Sequence, residues 1–209
     1  MIDSFSISSS LVIWIAGVLV VLLLIGWIKW IVGRRRKFDL AKITMRDIDK
    51  MDGHEFEDYL YVLISALEYE QVYQTKKSRD YGADLLYEQQ DGTKCVVQAK
   101  RYREKLGLSA VQEVYAAKAF YGAERALIIT TADKLSDSCL KLAAATDVHI
   151  VDRLDLDAVI KAFKKGRYAE AWEVLDVPLE PVAYSSTNSL EKPPEVRGGI
   201  QAGEYFYKQ

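Results

Sequence analysis

The chain has 209 residues, of which half are apolar and 28% are charged, and its formal net charge is −2. That length accommodates one domain of about 100–150 residues with flanking segments. The nearly balanced charge excludes nucleic-acid binding through overall positive charge, so any such contact needs a local patch. Cys95 and Cys139 lie in apolar segments without metal-ligand spacing, which predicts reduced core thiols rather than a cysteine metal site.

The first predicted element is an apolar helix. No charged residue occurs from Ser4 to Ile28, a run long enough to cross a bilayer core of roughly 30 Å. We therefore predict a transmembrane helix over residues 11–32 that contacts the lipid bilayer. A cleaved signal peptide is disfavoured, because the run is too long and no small-residue cleavage site follows. The basic run GRRRK comes directly after it, and the positive-inside rule then predicts a single-pass cell-membrane protein with its N-terminus outside.

The chain is predicted to divide into five segments. Residues 1–10 form a short extracytoplasmic N-terminus, and a basic juxtamembrane linker over 33–42 follows the transmembrane helix. A folded cytoplasmic domain occupies residues 43–175. All four prolines lie beyond it, in a stretch rich in Ser, Gly and Glu, which predicts a disordered tail over 176–209.

Apolar periodicity and turn residues predict the elements of the folded domain. In chain order they are a helix over MDGHEFEDYLYVLISALEYE, strands at EQVYQT, ADLLYEQ and KCVVQAKRY, a helix over LSAVQEVYAAKAFYG, a strand at RALIITT, a helix over DKLSDSCLKLAAATD, a strand at VHIVD, and C-terminal helices. Ser109 and Gln112 are predicted to form a capping box at the start of the second of these helices, and Gly122 to end it. The order αβββαβαβα predicts an α/β sandwich with a mixed sheet, because βαβ units pair in parallel whereas the central hairpin is antiparallel.

Polar side chains occupy the otherwise apolar central hairpin. Gln98 and Lys100 are two residues apart on one strand and therefore share a face. The face of Asp84 depends on the turn: a two-residue Asp-Gly loop would place it on the opposite face. A three-residue loop ending at a left-handed Gly92 would instead pair Asp84 with Gln98, and glycine in that third position favours this turn.

These three side chains are suited to phosphodiester chemistry. The carboxylate of Asp84 and the amide oxygen of Gln98 are ligands for a hard cation such as Mg²⁺. Lys100 could hold a phosphate oxygen or assist the attacking water, and metal-assisted hydrolysis uses these parts. The structural alternative is that Asp84 caps the start of its strand and Lys100 extends into solvent.

The wider pattern resembles a known family. In order along the chain, GHEFEDYLYVLISALEYE, SRDYGADLL, VVQAKRY, VQEVYAA and ALIITT are similar to the catalytic domain of Mrr-like (type IV) restriction endonucleases. These belong to the PD-(D/E)XK nuclease superfamily, here in a Gln-x-Lys form, and the resemblance extends from about Met51 to Leu156. It implies the restriction-endonuclease-like αβββαβ fold and DNA cleavage by an endodeoxyribonuclease that uses Mg²⁺ or Mn²⁺.

The resemblance also implies roles for individual residues. Asp84 matches the metal-binding aspartate, Gln98 the position that is usually Glu, and Lys100 the catalytic lysine. Glu57 matches the acidic residue of the first helix, and it shares a helical stripe with apolar residues, where a carboxylate is costly without a cation or donor. A glutamate at the boundary with water is the alternative for Glu57.

Four further residues are candidates for the site. Asp80 matches a family acid, although its turn context suits a structural loop equally well. Gln112 could contact the site in addition to its capping role. Arg101 and Arg103 follow the catalytic lysine and could bind DNA phosphates, with a solvated charge run as the alternative.

The leading functional hypothesis is a membrane-anchored, Mg²⁺-dependent DNA endonuclease connected with restriction or defence. One alternative is a membrane-tethered DNA-binding or interaction module whose nuclease fold no longer cuts. Another is a structure-specific nuclease for branched DNA, or one for RNA. Because nucleases that cut both strands are often dimeric, a homodimer is a further expectation.

Overall fold

The computed structural model describes residues 9–37, 39–69, 71–75, 81–89, 91–176, 199–202 and 204–208. Its first element is one long helix, α1 (Ser9–Lys37). The side chains of α1 are described from Trp14 to Trp30, and the large apolar ones among them are exposed. Over the described residues, no helix combines the length and the apolar character that crossing a bilayer requires.

The folded domain contains six more helices and a five-stranded sheet in its described part. The helices are α2 (Met45–Ile48), α3 (Gly53–Ala66), α4 (Leu108–Tyr121), α5 (Asp137–Thr146), α6 (Arg153–Lys164) and α7 (Tyr168–Asp176). The strands are β1 (Gln71–Gln74), β2 (Leu85–Glu88), β3 (Lys94–Lys100), β4 (Arg125–Thr130) and β5 (Val148–Val151).

The sheet is mixed, as predicted, and its strands are arranged in chain order. Strands β1, β2 and β3 pair antiparallel, whereas β4 and β5 are added in parallel. Helices α4 and α5 connect the parallel strands, which is why those connections are long. The predicted α/β class with a mixed sheet is therefore confirmed.

Two apolar layers cover the two faces of the sheet. Alternate residues of β3 point to opposite sides, so Val97 packs with α3, α6 and α7, while Val96 packs with α4 and α5. Gln98 and Lys100 share the side of Val96 because they lie two and four residues beyond it. The polar residues of the hairpin therefore face α4.

Two predicted helix ends differ from the structure. Helix α3 begins after Asp52, whose Oδ1 accepts a hydrogen bond of 2.8 Å from Glu55 N, so the predicted start at residue 51 is too early. Helix α4 begins at Leu108 after Gly107, which provides no side-chain cap. The predicted Ser109 and Gln112 capping box is therefore wrong. The predicted end of α4 is confirmed, because Gly122 adopts a left-handed φ of 60°.

The tail begins differently from the expectation of disorder. Helix α7 continues to Asp176. Near the C-terminus, two short strands, β6 (Gly199–Ala202) and β7 (Tyr205–Lys208), pair antiparallel. Residues 177–198, for which disorder was predicted, lie outside the described residues.

Candidate active site

The turn between β2 and β3 sets which side chains meet. Gln89 N donates to Thr93 O at 2.9 Å, and Gly92 has a φ of 85°. Leu85 lies opposite Val97 in the ladder, so Asp84 lies opposite Gln98. The predicted three-residue turn with a left-handed third residue is confirmed in its described residues, and it follows from the tolerance of glycine for positive φ.

Asp84 is turned towards β3 and is buried, with 8% of its surface exposed. Its Oδ2 accepts hydrogen bonds from Ala99 N at 2.7 Å and from Gln98 Nε2 at 2.8 Å. Its own N donates to Val97 O at 2.8 Å. The carboxylate therefore lies inside the hairpin and is not a solvent-facing strand cap.

Gln98 presents a buried oxygen that lacks a partner. Its side chain is 5% exposed, and Oε1 has no hydrogen-bond partner among the described residues. Leaving such a buried acceptor unsatisfied costs about 1–3 kcal/mol. A hard cation fits this arrangement, because an anionic carboxylate and a bare amide oxygen lie side by side. Over the described part of the chain, no group of three His, Cys, Asp or Glu side chains is placed to hold a metal ion.

Lys100 does not extend freely into solvent. Its side chain is 18% exposed, and Nζ lies 2.7 Å from Oε2 of Glu113 on α4. Burial acts to lower the pKa of Lys100, but the hydrogen bond and the charge of Glu113 outweigh it and hold the pKa above its ordinary value. The lysine is therefore a positively charged group at neutral pH, on the sheet face that also carries Gln98.

Glu57 lies on α3, which packs against the other face of the sheet. Its side chain is 19% exposed, and Oε2 lies 3.2 Å from Nδ1 of His54. The boundary position expected for a glutamate half in water is thus observed. A role for Glu57 at a metal stays a prediction.

The remaining candidates are dispersed. Asp80 lies outside the described residues, and Gln112 is exposed near the start of α4. Arg101 is partly buried, and its Nε has no hydrogen-bond partner among the described residues. Arg103 is exposed, and its Nη2 donates to Asp49 O at 3.4 Å.

Arg103 also lines a pocket of about 290 Å³ in which basic residues outnumber acidic ones. The other lining residues are Glu104, Lys105, Asp133 and Lys134. Because these residues follow β3 and β4, the pocket lies beyond the end of β3 that carries Lys100.

A second pocket, of about 320 Å³, lies at the opposite end of the sheet. Its polar centre is Asp176, whose Oδ1 accepts from Arg125 Nη1 and from Gln89 Nε2, both at 2.7 Å. All three groups have partners, so this cluster is explained as a tie between the sheet and α7. Although it is larger, this pocket does not contain the polar hairpin face.

Sequence reasoning missed two residues beside the site. Glu113 pairs with Lys100, and Gly82 lies against the backbone of Glu113. A signal for Glu113 was present, because it is the single acidic residue in the sequence of α4. No local pattern marks Gly82, whose neighbour is distant in sequence.

Comparison with known proteins identifies the domain. A family described as restriction endonuclease, Mrr_cat, matches residues 48–160, which is more than half of the chain. No curated protein sequence matches significantly.

Solved structures show weaker likeness. A protein of unknown function, AF1548, is 16% identical with a TM-score of 0.39, and the match covers 46% of this chain and 55% of that one. The DNA modification-dependent restriction endonuclease AspBHI is 17% identical with a TM-score of 0.42, covering 68% of this chain and 39% of that one. A repair endonuclease from Pyrococcus abyssi is 18% identical with a TM-score of 0.34, covering 48% and 46%.

The chain thus spans about half the length, or less, of these solved structures. The family match includes α3, the whole five-stranded sheet and the polar hairpin, and it agrees with the motifs in the sequence. The chain belongs to the Mrr_cat restriction endonuclease family and carries a nuclease domain of that type.

Proposed function

We propose that this protein is a divalent-cation-dependent endodeoxyribonuclease whose site is formed by Asp84, Gln98 and Lys100. The observation that carries the proposal is the buried Gln98 Oε1, which has no partner among the described residues and lies next to the Asp84 carboxylate. Such a pair is explained by a cation that takes both oxygens as ligands. Mg²⁺ is the expected ion, with Mn²⁺ as a substitute.

Each residue has a distinct part in this proposal. Asp84 provides the negative charge, and its bonds to β3 hold the carboxylate in place. Gln98 provides a neutral oxygen, and Lys100 provides a fixed positive charge for a phosphate oxygen. When bound, the cation would supply Lewis-acid chemistry at the phosphodiester.

The use of Gln98 in place of a glutamate has an energetic consequence. It removes one negative charge beside the cation, an interaction on the order of 4 kcal/mol at 4 Å for an effective dielectric of 20. Desolvation offsets part of that loss. We therefore expect weak cation binding by the protein alone, strengthened by the phosphate of the substrate or by Glu57.

DNA is the expected substrate, and Arg103 is a candidate phosphate contact. It is exposed beside a mainly basic pocket beyond the end of β3. Phosphate contacts of this kind weaken with salt, and each one lost lowers the slope of log affinity against log salt by about 0.9. Arg103→Gln should show that reduction in DNA-binding titrations, whereas Arg167→Gln, which changes an exposed arginine on a different surface, should not. An unchanged slope for Arg103→Gln would assign this arginine to solvent.

The proposal is tested by cleavage of supercoiled plasmid with the purified 209-residue chain in detergent. Cutting should require millimolar Mg²⁺ and should fall at least about 100-fold in Lys100→Ala and Asp84→Ala. Lys161→Ala, which alters an exposed lysine on α6, serves as the control and should cut normally. Modified and unmodified plasmids compared side by side would test the connection with restriction.

Two results would contradict the proposal. Full cleavage by Asp84→Ala would remove the site assignment. A folded wild-type chain that binds DNA and never cuts it would favour a tethered binding module. Faster cutting of branched than of linear DNA would instead redirect the proposal to a structure-specific nuclease.

We further propose that α1 anchors the nuclease domain to the cytoplasmic side of the cell membrane. The uncharged run from Ser4 to Ile28 and the basic residues after it support this. So do the exposed apolar side chains of α1, because water-facing apolar surfaces of that extent are rare in soluble proteins.

A further inference from the structure

Glu113 forms an ion pair that its exposure makes unusual as a stabilising device. The Nζ of Lys100 and the Oε2 of Glu113 are 2.7 Å apart, with 18% and 43% of the two side chains exposed. Partly exposed ion pairs contribute little to stability, typically below about 1 kcal/mol. The effect of this pair is therefore better sought in where it places the lysine ammonium.

A free lysine is poorly suited to a fixed task. Its four-carbon stem can adopt many rotamers, and ordering them costs up to about 2 kcal/mol. The carboxylate of Glu113 provides a partner for Nζ before any substrate arrives. The ammonium is thereby kept on the face of the sheet that also carries Gln98.

The backbone around Glu113 is itself fixed relative to Asp84. Gly82 has a φ of +90°, and a Cβ at that position would come within 2.4 Å of Glu113 O. This close approach joins α4 to the segment that leads into Asp84, two residues later. The contact therefore ties the helix that carries the lysine's partner to the chain that carries the aspartate.

The charge of Glu113 needs an explanation if the substrate is DNA. A carboxylate near a phosphate-binding lysine repels the polyanion and partly neutralises the lysine. A group that served only to attract DNA would not be negative. Its presence is accounted for if the geometry of Lys100 matters more than the strength of DNA binding.

We propose that Glu113 is a positioning residue that holds the Lys100 ammonium in its reactive place, an inference that rests on the proposed nuclease function. Glu113 itself contacts neither substrate nor cation in this scheme. Losing the carboxylate should slow cleavage, because misplacing a catalytic group by about 1 Å costs up to about 100-fold in rate. Losing it should not weaken DNA binding, because a repulsive charge is removed.

The test compares Glu113→Gln, Glu113→Asp and the wild-type chain. Single-turnover cleavage at saturating DNA gives the rate, and DNA titration with Ca²⁺ in place of Mg²⁺ gives the affinity. We expect Glu113→Gln to lower the rate about 10- to 100-fold with affinity unchanged or tighter, and Glu113→Asp to recover part of the rate. Glu170→Gln removes a carboxylate at the same 2.7 Å from an arginine on α7 and should change neither quantity.

Two outcomes would overturn the inference. One is a Glu113→Gln chain that cuts as fast as the wild type. The other is a parallel loss of rate, affinity and thermal unfolding midpoint, which would indicate a structural role only.

A measurement without DNA or cation separates this inference from the proposed function. The NMR signal of the Lys100 ammonium, assigned with Lys100→Arg, should show greater mobility in Glu113→Gln than in the wild type. If the wild-type chain does not cut DNA but this change occurs, the nuclease proposal fails while the ion-pair role of Glu113 stands. An unchanged ammonium signal would refute the positioning role whatever the cleavage result.

Discussion

The two ends of the Gln98 amide have different environments. Nε2 donates to Asp84 Oδ2 at 2.8 Å, while Oε1 is buried without a partner among the described residues. An amide is the side chain that can donate to a neighbouring carboxylate and still present an oxygen. The glutamine thus makes the hairpin stable without a cation, which two adjacent carboxylates would not do as well.

Gln98→Glu should make the fold depend on a divalent cation. Without metal, the glutamate cannot donate to Asp84, and the two carboxylates repel, so the free energy of unfolding should fall by about 1–3 kcal/mol at pH 7. Millimolar Mg²⁺ should restore much of it, because the cation pairs with both charges. Urea unfolding with and without MgCl₂ measures both effects.

Gln89→Glu is the matched control for this experiment. Gln89 Nε2 also donates to a carboxylate, that of Asp176 at 2.7 Å, but at the far end of the sheet. Its variant should show no recovery with Mg²⁺. If the two variants respond alike, the hairpin face is not a cation site.

At the scale of elements, the contact between the Gly82 segment and α4 holds the two halves of the site together. Gly82→Ala should lower stability for two reasons, the positive φ and the overlap with Glu113 O. Gly166→Ala is the comparison. Gly166 has a φ of +66°, but a Cβ added there would meet no atom of the described residues within 4 Å.

We expect Gly166→Ala to cost about 1–2 kcal/mol from backbone strain alone. Gly82→Ala should exceed it by about 1–3 kcal/mol, because the helix must shift to relieve the overlap. Chemical denaturation of both variants measures the difference. Equal losses would mean that the close approach to α4 is relaxed at little cost.

At the scale of the whole molecule, the apolar α1 and the folded nuclease domain are different kinds of structure. We expect the chain to remain with the membrane pellet after alkaline carbonate extraction, because an apolar helix of this length partitions into the bilayer. Protease added to inverted vesicles should digest the domain, whereas right-side-out vesicles should protect it. Release by carbonate would contradict the anchor, and digestion in right-side-out vesicles would contradict its orientation.

Local chemistry was sufficient for the order of elements and for one part of the site. A glycine at the third position of the turn fixes the hairpin register through its positive φ, and the register brings Asp84 opposite Gln98. The alternation of side chains along β3 then places Lys100 on the same face as Gln98. These inferences needed only neighbours in sequence, which is why they agree with the structure.

Contacts between distant elements decided the rest. The chain before α4 is held by hydrogen bonds of Leu106 with Lys134 and Ser136, so the helix starts at Leu108 and the expected Ser109 cap does not form. Packing of helices on opposite faces separates Glu57 from the polar hairpin face and brings Glu113 to Lys100. The sequence by itself determined the strand order, the turn and the Asp84–Gln98 pair, because short-range backbone geometry dictates them. Only the tertiary structure decided which helix supplies the partner of Lys100, because that depends on how buried apolar faces pack together.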